Sequence, residues 1–123
     1  MIQIGKREST ETLQEAVTYL EQRDFQNIKA DIDGYDTPKS YKKRGSDVLV
    51  TPDIVAERAG VKHYFDISLK SAKPKLLKTK WRFMEVLSRM KKAKFKIITT
   101  RGHYSFTDRM LEDLNLEKNM IKI

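Results

Sequence analysis

The sequence predicts an α/β domain, a mixed sheet of about four to five strands flanked by helices in the order αβββαβα. Stretches with apolar residues at helical spacing are separated by stretches whose polarity alternates every second residue. A strand, a helix and a further strand follow one another from residue 61 onward, the pattern of a parallel pair joined by a right-handed crossover. The length of 123 residues suits one core and is short for two, so residues 1–123 are expected to form a single domain.

In "STETLQEAVTYLEQRDF", Leu13, Ala16, Val17 and Leu20 fall on one helical face, with Ser9 or Thr10 as N-cap, which predicts a helix over about residues 10–23. "QNIKADIDGY" has the pattern of a first strand, and "DTPKSYKKRG" the Pro, Gly, Ser and charge of a loop. Two strands, roughly 47–58 and 61–70, then fold back around Ala59-Gly60. "PKLLKTKWRFMEVLSRMKK" is the second helix, with Pro74 in its first turn, where a missing N–H costs little. "KFKIITT" is a strand, "RGHYSFTDRMLEDL" turns into a third helix capped by Ser105 or Thr107, and "NMIKI" closes as a short strand.

No apolar run approaches the roughly 20 residues of a membrane helix, so no membrane partner is expected. The start lacks a signal-peptide stretch and the chain has no Cys, which removes disulfides and thiolate zinc sites and leads us to expect a cytoplasmic protein. The net charge of +8 is unevenly spread. Residues 1–66 carry ten Lys/Arg against twelve Asp/Glu, whereas residues 67–107 carry twelve Lys/Arg against the single acid Glu85. A basic tract of this kind matches a nucleic-acid backbone, since neutralising phosphates releases counterions. Lys42, Lys43 and Arg44 in the loop, with Lys73, Lys75, Lys78 and Arg101 in the tract, are the candidate contacts. Arg101-Gly102 also precedes a helix N-terminus.

The hairpin raises a separate question. Val48, Val50, Ile54 and Ala56 share one strand face and Asp47, Thr51, Asp53 and Glu57 the other; in the partner, Phe65, Ile67 and Leu69 oppose Tyr64, Asp66, Ser68 and Lys70. For both apolar sets to meet one core, even-numbered residues must pair with odd-numbered ones. A two-residue turn at Ala59-Gly60 satisfies this and puts Asp53 opposite Asp66, although such a turn prefers Asn or Asp where Ala59 stands. Like charges so placed destabilise a strand pair. Either a divalent cation, Mg²⁺ or Mn²⁺, relieves the repulsion, or both acids sit on a solvated face neutralised by Lys62 or Lys70.

Pro52-Asp53, followed thirteen positions on by Asp66-Ile67-Ser68, resembles the motif of the PD-(D/E)XK nuclease superfamily, the restriction-endonuclease-like fold that includes Holliday-junction resolvases and RecB-type nuclease domains. The element order is similar over nearly the whole chain. The resemblance implies a three-layer core and Mg²⁺-dependent phosphodiester hydrolysis on DNA. It implies Asp53 and Asp66 as metal ligands, with the Ile67 carbonyl as a further one. Where the family carries a lysine, this chain has Ser68. Lys70, one pleat repeat farther along, is the preferred substitute, against plain surface charge. Lys80 is the second: it lies near the middle of the apolar arc formed by Leu76, Leu77, Trp81, Phe83, Met84, Leu87 and Met90. A lysine there either snorkels to the edge, the preferred reading, or points at something polar beneath.

Many members of the family also place a glutamate on the first helix, but Glu11 and Glu15 project from its polar side. His103, in the loop after "KFKIITT", is a candidate general acid or phosphate contact, against a loop imidazole without a catalytic duty. His63 is expected to pack near the hairpin turn, and Trp81, Phe83 and Met84 to be core. The rival functions are a nuclease-fold nucleic-acid-binding module without activity, and a protein-interaction domain. A homodimer is one way for so small a domain to embrace a duplex.

Overall fold

A computed structural model describes residues 2–4, 10–71 and 73–123, the first of these by backbone alone. The elements are β1 (Ile2–Ile4), α1 (Thr10–Glu21), β2 (Gln26–Ala30), β3 (Tyr41–Lys42), β4 (Val48–Val50), β5 (Ile54–Arg58), β6 (Val61–Ser68), α2 (Pro74–Met90), β7 (Lys94–Thr99), α3 (Tyr104–Leu114) and β8 (Met120–Lys122). The main sheet runs β2-β5-β6-β7-β8, antiparallel from β2 to β6 and parallel from β6 to β8. The expected mixed sheet and the parallel β6-α2-β7 unit are both present. The expected N-cap at Ser9 lies outside the described residues, and α1 ends at Glu21 rather than residue 23.

Alternation along the strands sorts the core into two sides. Leu13, Ala16, Val17 and Leu20 of α1 pack on Ile54, Ala56, Phe65 and Ile98. Trp81, Met84 and Leu87 of α2 and Met110 and Leu111 of α3 pack on Val55, Tyr64, Phe95 and Ile97. Each fully buried Leu, Ile or Phe contributes about 1.5–3 kcal/mol to holding these layers together. The polar face expected for the hairpin is therefore not solvated: Tyr64, Asp66 and Ser68 lie buried beneath α2 and α3. A period of two separates the faces of a strand without saying what covers each.

Three further expectations are corrected. The strand expected over 47–58 is broken at residues 51–53, and its first part, β4, pairs with β1 and β3 in a separate small sheet. The expected loop at 36–45 contributes β3 to that sheet. The third helix begins at Tyr104 after His103, with no side-chain cap from Ser105 or Thr107.

Pro52 explains the break. The hairpin register matches Ile54 with Phe65, Ala56 with His63 and Arg58 with Val61, so the next pair of this set would be Pro52 with Ile67. In such a pair each residue donates its N–H to the other's carbonyl, and Pro52 has none to give. The turn itself is the expected two-residue type, with Ala59 at φ 53° and Gly60 at φ 76°.

Candidate functional site

The break at Pro52 frees two backbone groups of Ile67, and the side chain of Asp53 takes one of them. The Ile67 N–H donates to Asp53 Oδ2 at 2.8 Å, in place of the missing ladder partner. Within a strand the N–H and C=O of one residue point to the same side. The Ile67 carbonyl thus faces the Asp53 side, opposite a proline that cannot donate to it.

Asp66 stands in β6 on the face beneath α2, where two successive helix residues reach it. Lys80 Nζ donates to Oδ1 at 2.5 Å and Trp81 Nε1 to Oδ2 at 2.8 Å. Lys80 Nζ also lies 3.9 Å from Asp53 Oδ1. The exposures are 1% for Asp66, 2% for Lys80 and 8% for Asp53, so the solvated-face reading of the two acids is overturned. Lys80 does not snorkel: it is flanked by packed residues of α2 and has two carboxylates below it. Lys62, one of the expected neutralisers, is exposed and lies over the Tyr64 ring instead.

The electrostatics follow from this crowding. Burial raises the Asp53 pKa well above the ordinary aspartate value; the charge of Asp66 adds to the rise, Lys80 opposes it, a hydrogen bond shared with Asp66 raises it further, and the Ile67 N–H lowers it. For Lys80 burial alone would lower the pKa, but Asp53, Asp66 and the hydrogen bond to Asp66 outweigh burial and leave it above the usual lysine value. The ammonium is thus charged throughout the neutral range.

Oxygen donors of this kind suit a hard cation. Two carboxylates and a carbonyl opposite a proline that cannot donate to it match the preference of Mg²⁺ for few protein ligands and several waters. Among the described residues no group of three or more His, Asp or Glu gathers anywhere. Glu11 and Glu15 are exposed on α1, as expected.

The remaining candidates divide between two places. Ser68 is buried and bonds Thr107 Oγ1 at 2.6 Å; Thr107 bonds Thr99 Oγ1 and the His103 carbonyl, and Thr99 bonds the Ser68 carbonyl. Ser68 thus fastens α3 to the parallel strands. Lys70 is exposed beyond the end of β6, and its backbone N–H donates to His103 Nδ1 at 2.9 Å. Because β6 and β7 are parallel, Lys70, Lys73, Lys75, Arg101 and His103 all follow the same end of the sheet, four residues or more beyond Asp66 or its partner Ile97. That end is where α/β sheets bind ligands. Lys78 is engaged with Asp113 at 2.7 Å. Lys42, Lys43 and Arg44 instead border α2 on its outer side, next to Arg82 and Phe83. His63 packs edge-on to Phe25 near the hairpin turn, as expected.

Trp81 is the functional-site residue that a sequence reading assigns only to the core. A buried indole N–H requires an acceptor, and its adjacency to Lys80 in the chain is the available signal. Among the described residues no helix is long and apolar enough to cross a membrane. Set against protein-family models, curated proteins and solved structures, the chain matches none of them, so the site stands on its own geometry.

Proposed function

We propose that this chain is a metal-dependent nuclease with a restriction-endonuclease-like core, hydrolysing phosphodiesters in nucleic acid, DNA first among them. The observation that carries the reading is the reach of one buried ammonium, Lys80 Nζ, to both Asp53 and Asp66. Burying three ionisable groups is costly, and well-packed apolar residues commonly stabilise a core as well or better. The cost makes sense where the groups do chemistry.

In this reading Asp53, Asp66 and the Ile67 carbonyl hold Mg²⁺ or Mn²⁺. Such an ion, when bound, polarises the phosphate and lowers the pKa of an attacking water. Lys80 supplies the lysine that the motif lacks at Ser68, entering from the helix instead of the strand. Its ammonium donates toward the oxygens that develop negative charge beside the carboxylates. Trp81 holds Asp66 in orientation, and the Ile67 N–H holds Asp53. Lys70, Lys73, Lys75 and Arg101 hold the phosphate backbone at the end of the sheet.

The test is a cleavage panel of single-stranded, duplex, flapped and branched DNA with Mg²⁺ or Mn²⁺. Metal-dependent cleavage lost in Asp66→Ala and Lys80→Met is expected; unchanged activity in Asp66→Ala defeats the site. One observation favours the second reading, a binding module without activity: both oxygens of Asp66 already carry protein donors. Salt-sensitive DNA binding with no cleavage under any metal would support that reading.

A further inference from the structure

Among the described residues the exposed large apolar side chains are Leu76, Val86 and Met90, and all three belong to α2. With the half-buried Phe83 they lie at spacings of seven, three and four residues, which is one stripe along the outer face of the helix. Val86 is 54% and Met90 77% exposed. The apolar arc expected for α2 therefore extends past the sheet it covers, and part of it has no partner among the described residues.

The later part of that stripe, from Phe83 to Met90, is one wall of a groove of about 580 Å³; residues 42–44 are the other. Phe83, Val86, Leu87 and Met90 supply apolar lining, while Lys42, Lys43, Arg44 and Arg82 stand around it. Among the described residues no acidic side chain lines it. The groove runs along the later part of α2, toward the end of the sheet where β7 begins. The carboxylates face the other side of the helix, near the opposite end of β6.

We propose that this groove docks an acidic amphipathic helix presented by a partner protein. The occupant must be apolar on one side, to cover Phe83, Val86 and Met90 with residues spaced three and four apart. It must be acidic at its margins, to meet four cations that have no acid beside them among the described lining residues. A nucleic-acid backbone satisfies the cations but leaves the aliphatic Val86 and Met90 uncovered. A second copy placed groove to groove opposes the four cations with four more. The outer face of α1, which does carry Glu11 and Glu15, offers Gln14 and Thr18 beside them, not apolar anchors. This docking is independent of the catalytic reading.

The test uses a synthetic helical peptide of the same 17-residue length as α2, with Leu at spacings of three and four and Glu elsewhere. Its controls are a scrambled peptide of the same composition and one with Lys in place of Glu. Binding to the full chain is followed by fluorescence anisotropy and by backbone amide NMR shifts. The expected result is saturable, salt-sensitive binding, with shifts at Lys42–Arg44 and along Arg82–Met90. Val86→Asp and Arg82→Glu should each weaken binding about tenfold or more, as for loss of an interface anchor. Both positions are exposed, and unchanged Trp81 fluorescence confirms that the variants fold. Asp53→Asn, which keeps an acceptor for the Ile67 N–H, should bind the peptide unchanged while losing any metal-dependent cleavage, which separates this outcome from failure of the nuclease reading.

The proposal is overturned if the scrambled peptide binds as well, or if Val86→Asp leaves affinity unchanged. Duplex DNA that shifts the same residues and loses affinity in Val86→Asp would assign the groove to nucleic acid and overturn it. Self-association that Val86→Asp abolishes would assign the groove to a second copy and overturn it equally.

Discussion

Lys80→Met removes the ammonium from between two buried carboxylates and keeps the length of the side chain. Lys80 Nζ lies 2.5 Å from one and 3.9 Å from the other, and all three groups are almost fully buried. At an effective dielectric constant of about 20, opposite charges about 4 Å apart attract by about 4 kcal/mol. Breaking a buried pair by deleting one partner costs about 3–5 kcal/mol, in line with that figure. For a domain of this size the loss corresponds to a fall in Tm of roughly 10–20 °C at pH 7.

The sign of the pH dependence distinguishes this cause from simple loss of packing. The folded-state pKa of Asp53 is already raised, and Lys80 does more than the Ile67 N–H to hold it down. A carboxyl with a raised folded-state pKa contributes stability at low pH that is lost as pH rises through that pKa. The Lys80→Met deficit should therefore be largest at neutral pH and shrink toward pH 4. Thermal unfolding followed by the fluorescence of Trp81, the single tryptophan, measures it. Mg²⁺ should restore more stability to the variant than to the parent, because a cation then replaces the missing ammonium. A deficit equal at pH 4 and pH 7, or one below about 1 kcal/mol, would refute the reasoning.

Asp53→Asn keeps an acceptor for the Ile67 N–H and removes a carboxyl that burial penalises when charged; it should raise Tm at pH 7, lose that advantage as pH falls through the raised pKa, and abolish metal-dependent cleavage. Ala59→Asn relieves a left-handed residue at φ 53° and should add about 1 kcal/mol, read as a shift in the urea midpoint with unchanged slope. Thr107→Val leaves the buried Ser68 hydroxyl without its 2.6 Å partner and should cost about 1–3 kcal/mol in the same assay, while Thr107→Ser retains most of the stability.

Whatever a short-range period can carry is legible in the sequence. The two-residue turn and the alternation of the hairpin fix its pairing, and with it the approach of Asp53 to Asp66. The helical spacing of α1 identifies its four buried residues. Lys80 shows where this kind of inference stops. Its angle on α2 is readable, but whether a lysine stem bends out or reaches in depends on acceptors contributed by another element. The small sheet of β1, β3 and β4 is opaque for a different reason, since strands of two or three residues are too short to show alternation. Pro52 reads as part of a motif, yet its effect on the site comes from the hydrogen bond it cannot make.

The entry of Lys80 from α2 also bears on how the domain assembles. The hairpin can close by itself through a tight turn, and in doing so it brings two like charges together. Their counter-charge arrives only when a helix beginning several residues later swings across and seats itself. Until then the half-built sheet carries an electrostatic penalty that grows as the solution becomes less acidic, so seating of the helix is the step that converts mutual repulsion into cohesion. A nascent chain with the hairpin formed and the helix still loose is, in this respect, a two-pronged anion waiting for a cation, and under the proposed metal-binding reading its own lysine and a divalent ion would compete for the same position.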